Sequence, residues 1–149
     1  MPATTLAPEI LARAGRDYGT PCYVYDEAAV QQRCQEVLAM PNDFGLHARF
    51  AMKANSSQAL LQLIASAGMG IDASSLNEAR RAVLAGIAPD RIMLTTQEVP
   101  EAADRKDLEA LMLRGLRYNI CSLRQLQLVG PFAAAQGIGL SFRIHPGVG

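Results

Sequence analysis

Short β-prone runs recur along the chain at residues 49–52, 69–72, 91–95, 117–120 and 139–144, each separated from the next by a stretch with helical spacing. After the first run, Leu60, Leu61, Ile64 and Ala67 share one helix face, and Gly68 supplies a C-terminal stop. After the second, Ser75-Leu76-Asn77-Glu78 reads as a capping box, with Leu76, Ala79 and Val83 on one side and Gly86 at the end. Pro100 then stands at a first helical position ahead of Leu108, Leu111 and Met112, and Gly115 closes that segment. In the next helix Ser122 and Gln125 cap the start, and Gly130-Pro131 is expected to break or kink it before Phe132. An earlier amphipathic helix is predicted from Asp26, burying Val30, Cys34, Val37 and Leu38 and ending at Pro41 and Asn42.

Strands alternating with helices through short connections require parallel pairing, and right-handed crossovers leave a doubly wound sheet or a (β/α) barrel as the natural α/β architectures. No Gly-x-Gly-x-x-Gly follows the first strand and no Gly-x-x-x-x-Gly-Lys-Ser/Thr occurs, so the usual nucleotide signatures of open sheets are missing and the barrel is favoured. Five βα strands are three short of eight, and a typical barrel occupies about 250 residues. The expectation is the N-terminal portion of a (β/α)8 barrel over residues 1–149, with about five of its eight units present.

Composition narrows the class. The 149 residues are 50% hydrophobic and 19% charged, as in a folded protein, and fourteen basic side chains balance fourteen acidic ones. No basic stripe suits nucleic acid or an anionic membrane. The N-terminus has no basic segment followed by an apolar one, and apolar runs such as residues 82–88 are too short to span a bilayer, so the expected location is the cytoplasm. Cys22, Cys34 and Cys121 form no Cys-x-x-Cys pair and read as reduced core residues; with only His47 and His145 there is no zinc set.

In a barrel, chemistry collects at the C-terminal ends of the strands, and there the chain places Lys53, Asp72 and Arg143, each interrupting an apolar run. Lys53 sits between Phe50-Ala51-Met52 and Ala54, a setting that would desolvate an ammonium and favour a nucleophilic amine able to form a Schiff base with a carbonyl substrate or with pyridoxal phosphate. The alternative is a lysine snorkelling from a strand end into water.

The hexapeptide Phe50-Ala51-Met52-Lys53-Ala54-Asn55 resembles the fold-type III pyridoxal-phosphate decarboxylases, the family of diaminopimelate and ornithine decarboxylases. Other segments extend the likeness in family order: Tyr18-Gly19-Thr20-Pro21-Cys22-Tyr23-Val24-Tyr25-Asp26, then Gly68-Met69-Gly70-Ile71-Asp72-Ala73-Ser74-Ser75 with Glu78, then Ala85-Gly86-Ile87 with Pro89-Asp90-Arg91-Ile92, and finally Phe142-Arg143-Ile144-His145-Pro146-Gly147. The resemblance implies an alanine racemase-like barrel, followed in the family by a C-terminal β domain that this chain lacks. It implies pyridoxal 5'-phosphate as cofactor, with Lys53 as the lysine that holds it, Asp72 as the acidic residue beside it and Arg143 as an arginine reaching the same barrel mouth. Glu78 matches a family acidic position, although its capping role suffices to explain it. His145 reads as a strand-end histidine without a catalytic role, Asp72 with Arg143 could equally be a buried ion pair, and His47 has no pattern around it.

The reaction so implied is decarboxylation of a basic or diamino amino acid by a homodimeric, full-length protein, with the phosphate-binding, ring-stacking and pyridine-nitrogen residues lying beyond Gly149. The 149-residue chain alone is expected to associate and to be inactive. The segments around Thr20 to Asp26 and the Pro-Gly after the fifth strand favour meso-diaminopimelate, giving L-lysine. However, Asp72-Ala73-Ser74-Ser75-Leu76-Asn77-Glu78 departs from that branch's usual Asp-Val-Val-Ser-Gly-Gly-Glu, so ornithine, lysine, arginine and carboxynorspermidine stay open. A non-enzymatic pyridoxal-phosphate-binding homologue and a cofactor-free Schiff-base aldolase are the readings from other classes.

Overall fold

A computed structural model of the chain describes residues 6–144 and 146–147. Five parallel strands, β1 (Arg49–Ala51), β2 (Gly70–Ala73), β3 (Ile92–Thr95), β4 (Arg117–Ile120) and β5 (Ser141–Phe142), pair in sequence order β1-β2-β3-β4-β5. A doubly wound sheet reverses its strand order and covers both faces, whereas this order never reverses. Burial alternates along the strands: Ile71 and Ala73, Ile92 and Leu94, and Tyr118 and Ile120 are buried on one face. The opposite face carries Arg49, Asp72, Thr95, Asn119 and Ser141, none of them buried. One helix-covered face and one polar inner face make this an arc of a (β/α) barrel.

The helices on the covered face start where their capping residues dictate. Helix α2 (Glu27–Leu38) begins at Asp26, whose carboxylate accepts from the Ala29 N–H, and it buries Cys34 while Val30, Val37 and Leu38 pack at the margin of the core. Helix α3 (Gln58–Ser66) buries Leu61, Ile64 and Ala65. Ser75 and Ser122 cap α4 (Leu76–Leu84) and α6 (Leu123–Gln136) through the N–H groups of Glu78 and Gln125. Gly115, between α5 (Ala102–Leu113) and β4, has φ +98°, and a Cβ there would lie 2.8 Å from that of Asp90; only glycine lets this turn approach so closely.

Several elements differ from the sequence expectations. Helix α1 (Pro8–Tyr18) precedes all the predicted ones; it buries no residue and has no side-chain cap. Helix α5 starts at Ala102 rather than Pro100, because Pro100 is buried in the loop ahead of it. Helix α6 is not broken at Gly130-Pro131 but continues to Gln136: its flanking turns bury Gln125, Val129 and Ala133, and that packing outweighs one lost backbone bond. Strand β5 is limited to Ser141 and Phe142. All three cysteines are free, yet only Cys34 is a core residue; Cys22 is exposed and Cys121 half-buried. Among the described residues, no helix is long and apolar enough to cross a membrane.

Tyr118 is 1% exposed, and its hydroxyl has no hydrogen-bond partner among the described residues. Burial, with a smaller contribution from Cys121, pushes its phenol up to about 12. Leaving a hydroxyl dry and unpaired costs roughly 1–3 kcal/mol. Tyr118→Phe should therefore raise the stability of the fold by about 1 kcal/mol in urea titration; a loss of that size would mean that the hydroxyl has found a partner.

Candidate active site

Two carboxyl-terminal strand ends bring the first candidates together. Lys53 lies just past β1, on a 3-10 turn (Met52–Ala54), two residues beyond the Ala51–Asp72 pair that joins β1 to β2. Its neighbour Met52 is fully buried, but Lys53 itself is exposed, so the apolar flank anchors the turn rather than enclosing the amine. Desolvation of Lys53, expected from the sequence, is not provided by the described residues. The turn is held from its far side by Asn55, whose amide donates to the Tyr25 hydroxyl at 2.8 Å and whose Oδ1 accepts from the Ser57 N–H. Two of the segments singled out in the sequence thus meet directly.

Asp72 faces inward from β2. Burial raises its carboxyl above the ordinary carboxylate range; the Thr95 hydrogen bond and the positive charges of Arg49 and Lys53 oppose that rise, and Glu78 adds to it. Arg49 lies across the inner face because Gly70 leaves the space: a Cβ there would stand 3.1 Å from Arg49 Cγ and 2.8 Å from the Arg91 carbonyl oxygen. Burial, and next the like charge of Arg117, pull the Arg49 guanidinium down, while Asp72 supports it.

The loops around the mouth are fixed by two parallel side-chain braces. Glu78 Oε2 accepts from the Ser74 N–H at 2.7 Å and from its hydroxyl at 2.9 Å. Gln125, fully buried, accepts from the Cys121 N–H at 2.7 Å and donates to the carbonyls of Thr96 and Glu98 at 2.9 and 2.7 Å. The first brace is the capping role expected for Glu78, shifted one residue outward. The second was visible only in part, since spacing revealed the cap of α6 but not its reach into the loop after β3.

Arg143 follows β5, where its N–H continues the ladder to the Ile120 carbonyl at 2.8 Å. Among the described residues no ion pair joins it to Asp72, which corrects the buried-pair alternative: the sheet runs in sequence order and sets Asp72 three strands away, beside Arg49 and Lys53. His145 lies outside the described residues. Sequence reasoning also passed over Thr95, Asn119 and Ser141, which link across the inner face; their parity with Asp72 along the strands was the available signal.

An exposed primary amine beside an inward carboxylate suits an aldehyde-bearing cofactor, and comparison with known proteins agrees. The sequence model of the family described as "Pyridoxal-dependent decarboxylase, pyridoxal binding domain" matches residues 27–149. The chain belongs to that family. Among curated relatives, the diaminopimelate decarboxylase of Zymomonas mobilis is 36% identical over 146 residues, which cover 95% of this chain and 33% of that protein. The diaminopimelate decarboxylase of Methanothermobacter thermautotrophicus is 34% identical over 137 residues, covering 89% of this chain and 30% of that protein. The chain thus spans about a third of the length of these relatives. Of the solved structures, diaminopimelate decarboxylase from Helicobacter pylori, complexed with L-lysine, superposes with a TM-score of 0.72 at 26% identity, over 93% of this chain and 35% of the other. Lysine/ornithine decarboxylase from Vibrio vulnificus gives 0.71 at 18% identity, over 94% and 38%, and shows the shared fold alone.

The residues present fit the decarboxylase cofactor, pyridoxal phosphate. Lys53 is one of two lysines in the sequence, the other being Lys106 on α5, and Oδ2 of Asp72 has no hydrogen-bond partner among the described residues.

Proposed function

We propose that this chain is the N-terminal part of the cofactor-binding barrel of a decarboxylase that converts meso-diaminopimelate to L-lysine. The carrying observation is the exposed Lys53 amine at the barrel mouth beside Asp72, on a chain whose curated relatives are diaminopimelate decarboxylases. In this reading residues 1–149 supply the first five strands and the four helices that connect them, and further sequence supplies the closing units and a C-terminal β domain in a cytoplasmic homodimer.

Bound at Lys53, pyridoxal phosphate supplies the electron sink for loss of the α-carboxylate as carbon dioxide. The chain's own residues bind and orient. Nζ of Lys53 is the covalent anchor, Asp72 balances positive charge at that nitrogen, and Arg143 enters the same mouth when the barrel closes. Glu78 acts through the loop: by holding Ser74 it fixes the segment that follows Asp72.

The test is made on the full-length protein, purified with its cofactor and offered meso-diaminopimelate, ornithine, lysine and arginine in parallel. Carbon dioxide and L-lysine should appear from meso-diaminopimelate, with the other three turned over far more slowly. Faster release from one of those three would overturn the substrate, and no release from any would overturn the activity.

A further inference from the structure

The inner face of the sheet carries one continuous polar chain. Ser141 on β5 donates its hydroxyl to Oδ1 of Asn119 on β4 at 2.9 Å; Nδ2 of Asn119 reaches Oγ1 of Thr95 on β3 at 3.4 Å; and Thr95 donates to Oδ1 of Asp72 on β2 at 3.1 Å. The links follow the strand register, in which Thr95 pairs with Asn119 and Asn119 with Ser141. None of these side chains is needed to hold the parallel ladders, whose bonds are made by the backbone.

The direction of the chain is determined at one end. An ionised carboxylate only accepts, so Thr95 must spend its single proton on Asp72. Its oxygen is then left to accept from an amide N–H, which turns Asn119 so that its carbonyl oxygen faces Ser141 as an acceptor. Every donor therefore points toward Asp72, and bonds aligned head to tail polarise one another. We propose that Thr95, Asn119 and Ser141 are positioning residues, a one-way hydrogen-bond relay that fixes the orientation and charge of Asp72 and leaves its Oδ2 free to face Lys53. This rests on the proposed role of Lys53 for its meaning in catalysis, but the relay itself is testable without cofactor.

The groups facing Asp72 are Arg49 from β1, Lys53 from the following turn, Glu78 from α4 and Thr95 from β3. Of these only Thr95 belongs to the relay, so removing its hydroxyl leaves the neighbouring charges in place. The full-length protein, freed of cofactor and labelled with 13C at the aspartate side-chain carboxyls, allows Asp72 to be titrated by NMR, its signal assigned by its disappearance in Asp72→Asn. Thr95→Val should move the titration midpoint of Asp72 upward by about one unit, the size expected for losing one hydrogen bond to a charged acceptor. Thr95→Ser, which restores the hydroxyl, should return most of the shift, whereas a purely packing role would leave Ser no better than Val. Asn119→Ala should shift the midpoint in the same direction but less, and it decides the matter if Thr95→Val fails to fold. A midpoint unmoved in the folded variants, or a shift that Ser does not rescue, overturns the relay. Borohydride trapping of pyridoxal phosphate on Lys53 in the same proteins keeps the two ideas apart: wild type left unlabelled speaks against the cofactor lysine and leaves the titration result standing.

Discussion

Lys53→Ala should abolish covalent capture of pyridoxal phosphate by the full-length protein, with the reduced adduct falling from near-stoichiometric to undetectable. Treatment with borohydride converts a lysine Schiff base to a stable secondary amine, and peptide mapping then locates it. Within residues 1–149 the assay has little ambiguity, since Lys106 is the only other lysine and sits exposed on α5, a helix of the covered face. Loss of the adduct should not reflect unfolding. Lys53 is exposed and makes no ion pair among the described residues, and surface substitutions of this kind usually change stability by less than about 0.5 kcal/mol. A label that persists in Lys53→Ala, or maps to Lys106 in the wild type, would refute the assignment.

Gln125→Leu should be the most destabilising single change near the mouth. The substitution preserves approximate volume, so little of its cost comes from a cavity. It strips partners instead from the Cys121 N–H and from the carbonyls of Thr96 and Glu98, in surroundings where Gln125 is fully buried. Each buried backbone group left unsatisfied costs about 1–3 kcal/mol, and part of this is recovered if water reaches the loops. A net loss of roughly 3 kcal/mol is expected, read as a lower urea midpoint with unchanged slope. Exchange of the Cys121 amide with deuterium should accelerate in parallel. A variant within about 0.5 kcal/mol of wild type would show that the two loops do not depend on this brace.

The contrast between these two residues explains what the sequence could disclose. The period-2 and period-3.6 patterns located all five strands and five of the helices; β2, β3 and β4 and those helices bury one face, and burial imprints its period on the chain. Lys53 and Asp72 stood out for the same reason, as charges interrupting apolar runs. Helix α1 takes no part in the core and has no side-chain cap to mark its start, and the continuity of α6 through Pro131 depends on packing that no local rule contains. Gln125 was legible as a cap but not as a brace, since its partners Thr96 and Glu98 lie 29 and 27 residues earlier in the chain. The relay required knowing which residues stand opposite one another, and register is set by the whole sheet. An ion pair of Arg143 with Asp72 was the alternative that the sequence left open; the strand order puts the two at separate positions along the arc.

The unreversed strand order also bears on how such a chain is made. Every backbone ladder joins a strand to the one synthesised just before it, as in Phe50 with Ile71 and Ile71 with Ile92. Pairings 21 residues apart cost less loop-closure entropy than any that would join distant strands of the same sheet. A nascent chain leaving the ribosome at about 5–20 residues per second can therefore dock each βα unit onto the last within seconds, in the order in which it is translated. Growth of this vectorial kind leaves one unpaired edge at the tip throughout elongation, and slow codons or a chaperone would matter most there.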